Sequence, residues 1–198
     1  MKRYRLLDKF ILLVLLGSVV QAHSDGFYVG VDGALLSFKK DSMKVEKSDK
    51  SRTTYHDIKS SHYGALKVGY QHFKHNRVEL YFRKNKLDSR EGDITLESYG
   101  VNYEWGFSSL STQSLMPYLA VGVGVGKSSS DELEPIDNVG IGEVSFDIGV
   151  HYQFTTNIDA QIGYRRINTI FDNLDDYKDD EVSAIGQNSF ILALTYKF

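Results

Sequence analysis

The sequence of 198 residues has no cysteine and only two prolines, and it has no apolar run long enough for a membrane-spanning helix. Without cysteine it has no disulfide bond, no thiolate nucleophile and no thiolate metal ligand. Its longest apolar stretch, from Phe10 to Val20, is about eleven residues, whereas a spanning helix needs about 20. The scarcity of proline leaves almost every backbone N–H able to join a sheet.

The N-terminus has the pattern of a secretory signal peptide. A basic segment precedes the apolar stretch, and Val20-Gln21-Ala22 offers small residues at the positions that signal peptidase reads. We therefore expect residues 1–22 to be cleaved and residues 23–198 to form one domain. A retained membrane anchor is the alternative, but the apolar stretch is too short for it. A lipoprotein anchor is excluded because it needs a cysteine.

The charge and composition argue for a β-rich protein that does not bind nucleic acid. The formal net charge is −3, and the predicted signal contributes four basic residues and one acidic residue, so the remainder is near −6. Nucleic-acid binding depends on an excess of basic residues. Tyr and Gly are abundant, at 13 and 17 residues, as suits many strands. A mean hydropathy of −0.31 fits a transmembrane barrel, in which only alternate strand residues face lipid.

Alternation of apolar and polar residues runs through nearly the whole mature chain. It predicts eight strands, at about 26–38, 60–72, 76–86, 94–107, 117–127, 141–154, 158–168 and the final segment up to Phe198. Long polar connections are predicted at 39–59, 128–140 and 169–187, and shorter ones at 74–76, 87–93, 108–116 and 155–157. The predicted fold is all-β, an eight-stranded antiparallel up-and-down transmembrane β-barrel.

A soluble, lipocalin-like barrel would show the same alternation with the opposite sense. The polar face decides between the two. It carries five acidic and five basic residues interleaved with small ones: Lys67, Arg77, Glu79, Arg83, Glu104, Glu143, Asp147, Asp159, Arg165 and Lys197. Balanced opposite charges suit a narrow lumen, where each charge needs a partner. On the apolar face the exception is Arg166, which we place near the outer rim.

Aromatic residues cluster near the predicted strand ends, as membrane-interface girdles require. The girdle beside the short turns is predicted to contain Phe27, Tyr70, Phe73, Trp105, Phe107, Tyr118, Tyr152, Phe154, Tyr196 and Phe198. A sparser outer girdle is predicted from Phe38, Tyr63, Tyr99 and Phe190.

Three short stretches make the chain resemble the OmpA/OmpX/Opa-like family of eight-stranded outer-membrane barrels. They are Gly26-Phe27-Tyr28-Val29-Gly30-Val31, Gly69-Tyr70 followed by Arg77-Val78-Glu79-Leu80, and the closing Leu194-Thr195-Tyr196-Lys197-Phe198. The resemblance implies the bacterial outer membrane as location. Its implied partners are outer-membrane lipid and lipopolysaccharide, together with periplasmic chaperones and the barrel-assembly machinery during biogenesis. Leu194, Tyr196 and Phe198 resemble the C-terminal signal which that machinery reads.

The family implies function poorly, because its members include structural anchors, adhesins and a few lipid enzymes. We expect a small structural barrel that displays loops, with a charge-paired and largely closed lumen formed by Lys67, Arg77, Glu79, Arg83, Glu104, Asp147, Asp159 and Arg165. The alternative is an adhesin or ligand-binding surface protein acting through loops 39–59, 128–140 and 169–187. A narrow pore is a further alternative. Monomer is the expected state, because the apolar face has no polar seam.

A lipid A-modifying enzyme is also weighed, because Ser60 and His62 share a strand face near the outer rim and His56 is close by. The deacylase pattern is His-x-Ser, whereas this chain has Ser-x-His, and the sequence identifies no acidic partner. We predict no enzyme, no catalytic residue and no cofactor.

Two other motifs are weaker. Gly122 to Ser128 superficially resembles a phosphate loop, but its glycines recur at every second residue, as on the lumen side of a strand. Acidic clusters at 131–137 and 172–181 offer oxygen ligands for Ca²⁺ or Mg²⁺, yet their spacing matches no calcium loop. No metal site is predicted.

Overall fold

The computed structural model describes residues 26–38, 43–46, 52–55, 60–72, 75–88, 93–107, 115–130, 138–171 and 184–198. The predicted signal peptide, both acidic clusters and His56 lie outside these residues. Their predictions are therefore untested by the structure. Among the described residues, no helix is long and apolar enough to cross a membrane.

Ten strands are present in the described part of the chain. They are β1 (Gly26–Phe38), β2 (Met43–Glu46), β3 (Arg52–Tyr55), β4 (Ser60–His72), β5 (Asn76–Asp88), β6 (Asp93–Gly106), β7 (Leu115–Ser129), β8 (Gly140–Gln153), β9 (Ile158–Phe171) and β10 (Ala184–Lys197). Eight of them close into a barrel in the order β1-β10-β9-β8-β7-β6-β5-β4. Every neighbouring pair is antiparallel. The predicted fold is confirmed.

The first connection contains more structure than expected. The sequence predicts one long loop at 39–59, whereas β2 and β3 pair with each other as a separate two-stranded sheet. Because β2 and β3 have only four residues each, they are shorter than the commonest strand length of about 5–6 residues, and their alternation is too brief to separate them from a polar loop.

Barrel strands run further towards the long loops than the alternation predicts. β9 continues to Phe171 and β10 begins at Ala184, inside the loop predicted at 169–187. β7 likewise reaches Ser129, inside the loop predicted at 128–140. The physical reason is that the inner and outer sides of the wall change polarity at the long-loop end. The alternation of an apolar outside with a polar inside therefore stops before the strands end.

Over the membrane-facing part of the wall, exposed and buried residues alternate as the sequence predicts. In β5 the odd-numbered residues from Arg77 to Leu87 are buried, whereas Val78, Leu80 and Phe82 are exposed. Outward apolar residues and inward polar ones are the arrangement of a barrel surrounded by lipid.

The prediction of girdle residues is wrong for two tyrosines. Tyr63 and Tyr118 point into the lumen, where they are 8% and 1% exposed. Tyr63 accepts a hydrogen bond from Arg165, and the Tyr118 ring lies 4.8 Å from the His151 ring. Position near a strand end misled the prediction, because parity along the strand decides which side a residue faces. The side chains of Phe38 and Phe73 are outside the described set.

Candidate functional site

The lumen contains the charged residues that the sequence singled out. All eight of the predicted lumen residues are buried, each no more than 4% exposed: Lys67, Arg77, Glu79, Arg83, Glu104, Asp147, Asp159 and Arg165. They come from five different strands. The side chains lie in layers along the barrel axis, and each layer joins strands that are far apart in sequence.

The layer at the short-turn end is built around Arg77. Its Nη2 donates to Asp159 Oδ2 at 2.7 Å, and its Nε lies 3.7 Å from Glu104 Oε1. His151 contacts the same carboxylate through Nε2, 2.8 Å from Glu104 Oε1. Lys197 completes the layer from β10, with its Nζ 2.9 Å from Asp159 Oδ2. Two cations and a histidine therefore face two carboxylates at this end.

A second layer lies one step deeper and holds Lys67 against Glu79. The Lys67 Nζ is 3.1 Å from Glu79 Oε1 and donates to Gln161 Oε1 at 3.0 Å. Tyr28 donates its hydroxyl to the same Glu79 oxygen at 2.8 Å. Gln161 in turn donates to Glu104 at 3.3 Å, which links the two layers. Charged hydrogen bonds of this kind are the strong ones in a medium of low dielectric constant.

The third layer is centred on Arg165. Its Nη2 lies 2.6 Å from Asp147 Oδ2, and its Nη1 lies 3.2 Å from Asp32 Oδ2 and 3.0 Å from the hydroxyl oxygen of Tyr63. Asp32 was not among the lumen residues predicted from the sequence. A signal was present, because Asp32 alternates with the apolar residues of the first strand and shares its polar side with Gly30 and Ala34.

In the fourth layer, Arg83 reaches across the barrel to Glu143. The Nη1 of Arg83 donates to Glu143 Oε2 at 3.2 Å, and Ser98 donates to the same oxygen at 2.7 Å. Above this pair, Asn85 donates to Gln187. Arg83 Nε and Nη2 and Glu143 Oε1 have no protein partner in the described part of the chain. Buried water molecules commonly form hydrogen bonds with such groups, where donors and acceptors lie close together without a protein partner.

An apolar lid lies beyond the fourth layer, at the long-loop end, and it was not predicted from the sequence. We use this name for a cluster of six inward side chains, each at most 5% exposed: Leu87, Ile94, Leu96, Ile141, Phe171 and Ile185. Outside the barrel at the same end the wall is polar, with Lys84 and Lys86 exposed and Glu97 partly exposed. The lid therefore separates the polar layers from the side on which the long loops lie.

Lumen tyrosines pack over glycines, which explains the repeated glycines. A Cβ added at Gly163 would collide with the hydroxyl of Tyr118, and one at Gly124 would collide with the hydroxyl of Tyr81. Gly122, from the motif that resembles a phosphate loop, lies within β7 against Asn102. These glycines leave room for large side chains in a narrow interior, and no phosphate loop is formed.

Other residues that the sequence singled out lie on the outer wall. His62 is exposed and pairs in register with Lys86, whose Nζ is 2.6 Å from Asp93. Leu194 and Tyr196 are exposed on β10, and the Phe198 ring stacks edge-on against Tyr196 at 5.3 Å. The assembly role of these C-terminal residues stays a prediction. Among the described residues, no group of three or more His, Asp or Glu side chains is arranged to hold a metal ion.

Comparison with solved structures supports the same fold. Neisserial surface protein A matches with a TM-score of 0.60 and 22% identity, over 87% of this chain and 97% of that one. The outer membrane protein OprG from Pseudomonas aeruginosa matches with a TM-score of 0.53 and 13% identity, over 90% of this chain and 99% of that one. At these identities the likeness concerns the fold alone. Comparison with the sequences of curated proteins found no match.

The family assignment rests on the sequence itself. The family described as outer membrane protein beta-barrel domain matches residues 10–198, which is nearly the whole chain. Its fold agrees with the closed barrel, the apolar outer wall and the polar lumen described above. The chain is therefore a member of the outer membrane protein β-barrel family, and it resides in the bacterial outer membrane.

Proposed function

We propose that this protein is a structural barrel of the outer membrane that has a closed lumen, displays its long loops at the cell surface and is not an enzyme. The observation that carries the proposal is the filling of the lumen. Four polar layers and the apolar lid follow one another along the axis, and each includes side chains from opposite walls. An eight-stranded barrel has an interior just wide enough for side chains to fill.

The lid strengthens the argument against a pore. An ion that entered from the loop side would have to leave water and pass between side chains such as Leu96 and Ile185, which are 1% exposed. Apolar constrictions of this kind exclude water and ions. An ion that passed the lid would next meet Asn85 and Gln187, which are hydrogen-bonded to each other, and then the Arg83–Glu143 pair. Beyond them lies Arg165, which is already paired with Asp32 and Asp147.

Planar-bilayer recording tests the closed lumen. We expect the refolded protein to give no discrete conductance steps above the bare bilayer. A widened variant, Arg83→Ala with Arg165→Ala and Leu96→Ala, is the control that shows whether an opening would be detected, provided that it still migrates as a folded band. Reproducible unitary steps from the wild type would contradict the proposal.

A second candidate function is ligand binding through the loops at 39–59, 128–140 and 169–187. The specific observation in its favour is the β2–β3 sheet, which gives the first of these connections paired backbone of its own. Connecting segments that are held by a rigid scaffold often contain binding residues. This candidate shares the barrel and the location with the first.

Shortening the loops separates the two candidates. A variant in which 41–57 is replaced by a short Gly-Ser turn would keep the envelope integrity of a producing strain if the protein is a scaffold. If the protein is a binder, the variant would lose attachment to host cells or serum proteins while its amount in the outer membrane is unchanged. Equal attachment by wild type, variant and a deletion strain would exclude the binder.

A further inference from the structure

Polar residues on the outer wall begin at a similar height on strands from opposite sides of the barrel. On β5, the apolar series Val78, Leu80, Phe82 ends at Lys84, and on β9 the series that begins at Ile158 ends at Arg166. Each cation lies eight residues beyond the first residue of its strand. Since a tilted strand crosses the bilayer in about 9–11 residues, both cations lie at the loop-side edge of the hydrocarbon.

The cations of β5 are neutralised by acids on the neighbouring strand. Lys84 Nζ is 2.8 Å from Glu97 Oε1, and Lys86 Nζ is 2.6 Å from Asp93 Oδ2. These exposed pairs leave little net charge on that side of the wall. Such exposed ion pairs contribute little to the stability of the protein, but each ammonium group already has an anionic partner.

Arg166 on the opposite side has no such partner among the residues that the structure describes. In the described part of the chain its one hydrogen bond runs from Nε to Asn168 Oδ1 at 3.3 Å, and no carboxylate lies within ion-pair distance. Its register neighbours are Phe146 on β8 and Asn188 on β10. Asn188 accepts a hydrogen bond from the hydroxyl of Tyr164 at 2.7 Å. Among the described residues, the neighbours of the guanidinium are thus amides, a phenol and Phe146, and its two terminal nitrogens have no hydrogen-bond partner.

A guanidinium without a carboxylate partner at the edge of the hydrocarbon is a favourable binding site for an anion. Burying or half-burying a cation next to lipid is unfavourable unless it is paired. Its planar fork matches the oxygens of a phosphate in a two-point contact. The groups beside it, Asn168 and Asn188, have amide nitrogens that can donate to further phosphate oxygens. At this height the phosphates within reach belong to the headgroups of the surrounding lipids.

We propose that Arg166, Asn168 and Asn188 form a docking site for the phosphate of a lipid headgroup in the loop-side leaflet. The occupant to which this surface is suited is a phosphorylated glycolipid of the outer leaflet, held from the side by one face of the barrel at β9–β10. The site goes beyond the proposed function, because it depends on the wall of the barrel and not on a closed lumen.

Native mass spectrometry of the refolded, detergent-solubilised protein tests the site. The probes are lipid A and its dephosphorylated form, supplied at equal concentration. We expect wild type to retain lipid A in preference to the dephosphorylated form, and Arg166→Gln to lose roughly tenfold in affinity, the loss expected for a charge-assisted contact. Arg166→Lys should recover part of it, because charge remains and the fork is lost. Each variant is first shown to be folded by its mobility shift on boiling.

The matched control is Lys84→Gln, which removes a cation at the same height that is already paired. It should bind lipid A like the wild type. Equal loss in Lys84→Gln and Arg166→Gln would overturn the site, since general surface charge would then explain binding. Equal retention of the phosphorylated and dephosphorylated lipids would overturn it too. So would complete displacement by millimolar inorganic phosphate, which would show a site for free phosphate and not for a lipid.

Discussion

Arg165 shows how much of the lumen depends on single side chains. It is 1% exposed and lies between Asp147 and Asp32, which reach it from β8 and β1. Its guanidinium also lies over the ring of Tyr63, with Cζ 5.6 Å from the ring centroid. One buried cation therefore balances two buried carboxylates.

Removing this cation should be strongly destabilising. Arg165→Ala leaves Asp32 and Asp147 buried without their counter-charge, and breaking a buried pair in this way costs about 3–5 kcal/mol. Urea unfolding of the protein refolded into lipid vesicles, followed by tryptophan fluorescence from Trp105, measures the change.

Two variants serve as controls for this experiment. Lys84→Ala breaks an ion pair whose lysine side chain is 60% exposed, and we expect a loss below about 1 kcal/mol. The triple variant Arg165→Met, Asp32→Asn, Asp147→Asn removes all three charges and should be more stable than Arg165→Ala. If Arg165→Ala were as stable as the wild type, the three charges would be hydrated and not paired, and the prediction would be wrong.

At the scale of a strand, β6 changes the sense of its alternation part-way along. Near the long loops its inward residues are Ile94 and Leu96, and its outward Glu97 is polar. Further along, the inward residues become polar, whereas Tyr99 and Val101 face outward and are 62% and 42% exposed. The reason is the solvent, which changes from water to lipid between Glu97 and Tyr99.

Cysteine labelling measures this boundary, because the natural chain has no cysteine. A thiol in place of Glu97 should react with a water-soluble maleimide when the protein is in vesicles. A thiol in place of Leu96 should be protected by the lid, and one in place of Val101 should be protected by lipid. All three should react fully in urea. Equal reaction at Val101 and Glu97 in vesicles would place the boundary elsewhere.

At the scale of the molecule, closure depends on the pairing of the first and last barrel strands. β1 and β10 are antiparallel, and Val31 lies directly opposite Leu194. Both side chains are about half exposed, on the lipid side. A β-bulge between Ala34 and Leu36 interrupts the register nearer the loops. Since the two strands lie at opposite ends of the described chain, closure forms only when the whole barrel is assembled.

An engineered disulfide tests closure and register together. In the refolded double variant Val31→Cys, Leu194→Cys, we expect rapid oxidation, because directly opposite residues are about 4.5–5.5 Å apart at Cα, within reach of a disulfide. Non-reducing electrophoresis of the unfolded protein detects the crosslink as a change in mobility.

The control for the disulfide is Val31→Cys, Leu192→Cys, in which the second thiol faces the same side two residues away. Diagonal neighbours are about 7–8 Å apart, so this pair should oxidise much more slowly. Faster oxidation of the control pair would indicate a register shifted by two residues.

The sequence by itself determined the eight barrel strands through alternation, and the charged residues of the polar face determined which side faces lipid. It also determined most of the charged residues that fill the lumen. Glu79 could be assigned to the interior because its neighbours Val78 and Leu80 are apolar and charge is unfavourable on the lipid face. Arg77 and Arg165 could be assigned there because each alternates in its strand with residues of a mainly apolar face. The same reasoning explains why the fold and the location were predictable, since both follow from local periodicity and from the outward apolar band.

Only the tertiary structure decided which side chains meet. Arg165 and Asp32 are 133 residues apart in sequence, and Arg77 and Asp159 are 82 apart, so their pairing depends on the closure and stagger of all eight strands. The lid and the change of sense in β6 depend on where the membrane ends along each strand, which alternation does not encode. The absence of a carboxylate beside Arg166 among the described residues is likewise a property of its neighbours on β8 and β10. Periodicity sets the face of each residue, whereas closure sets its partners.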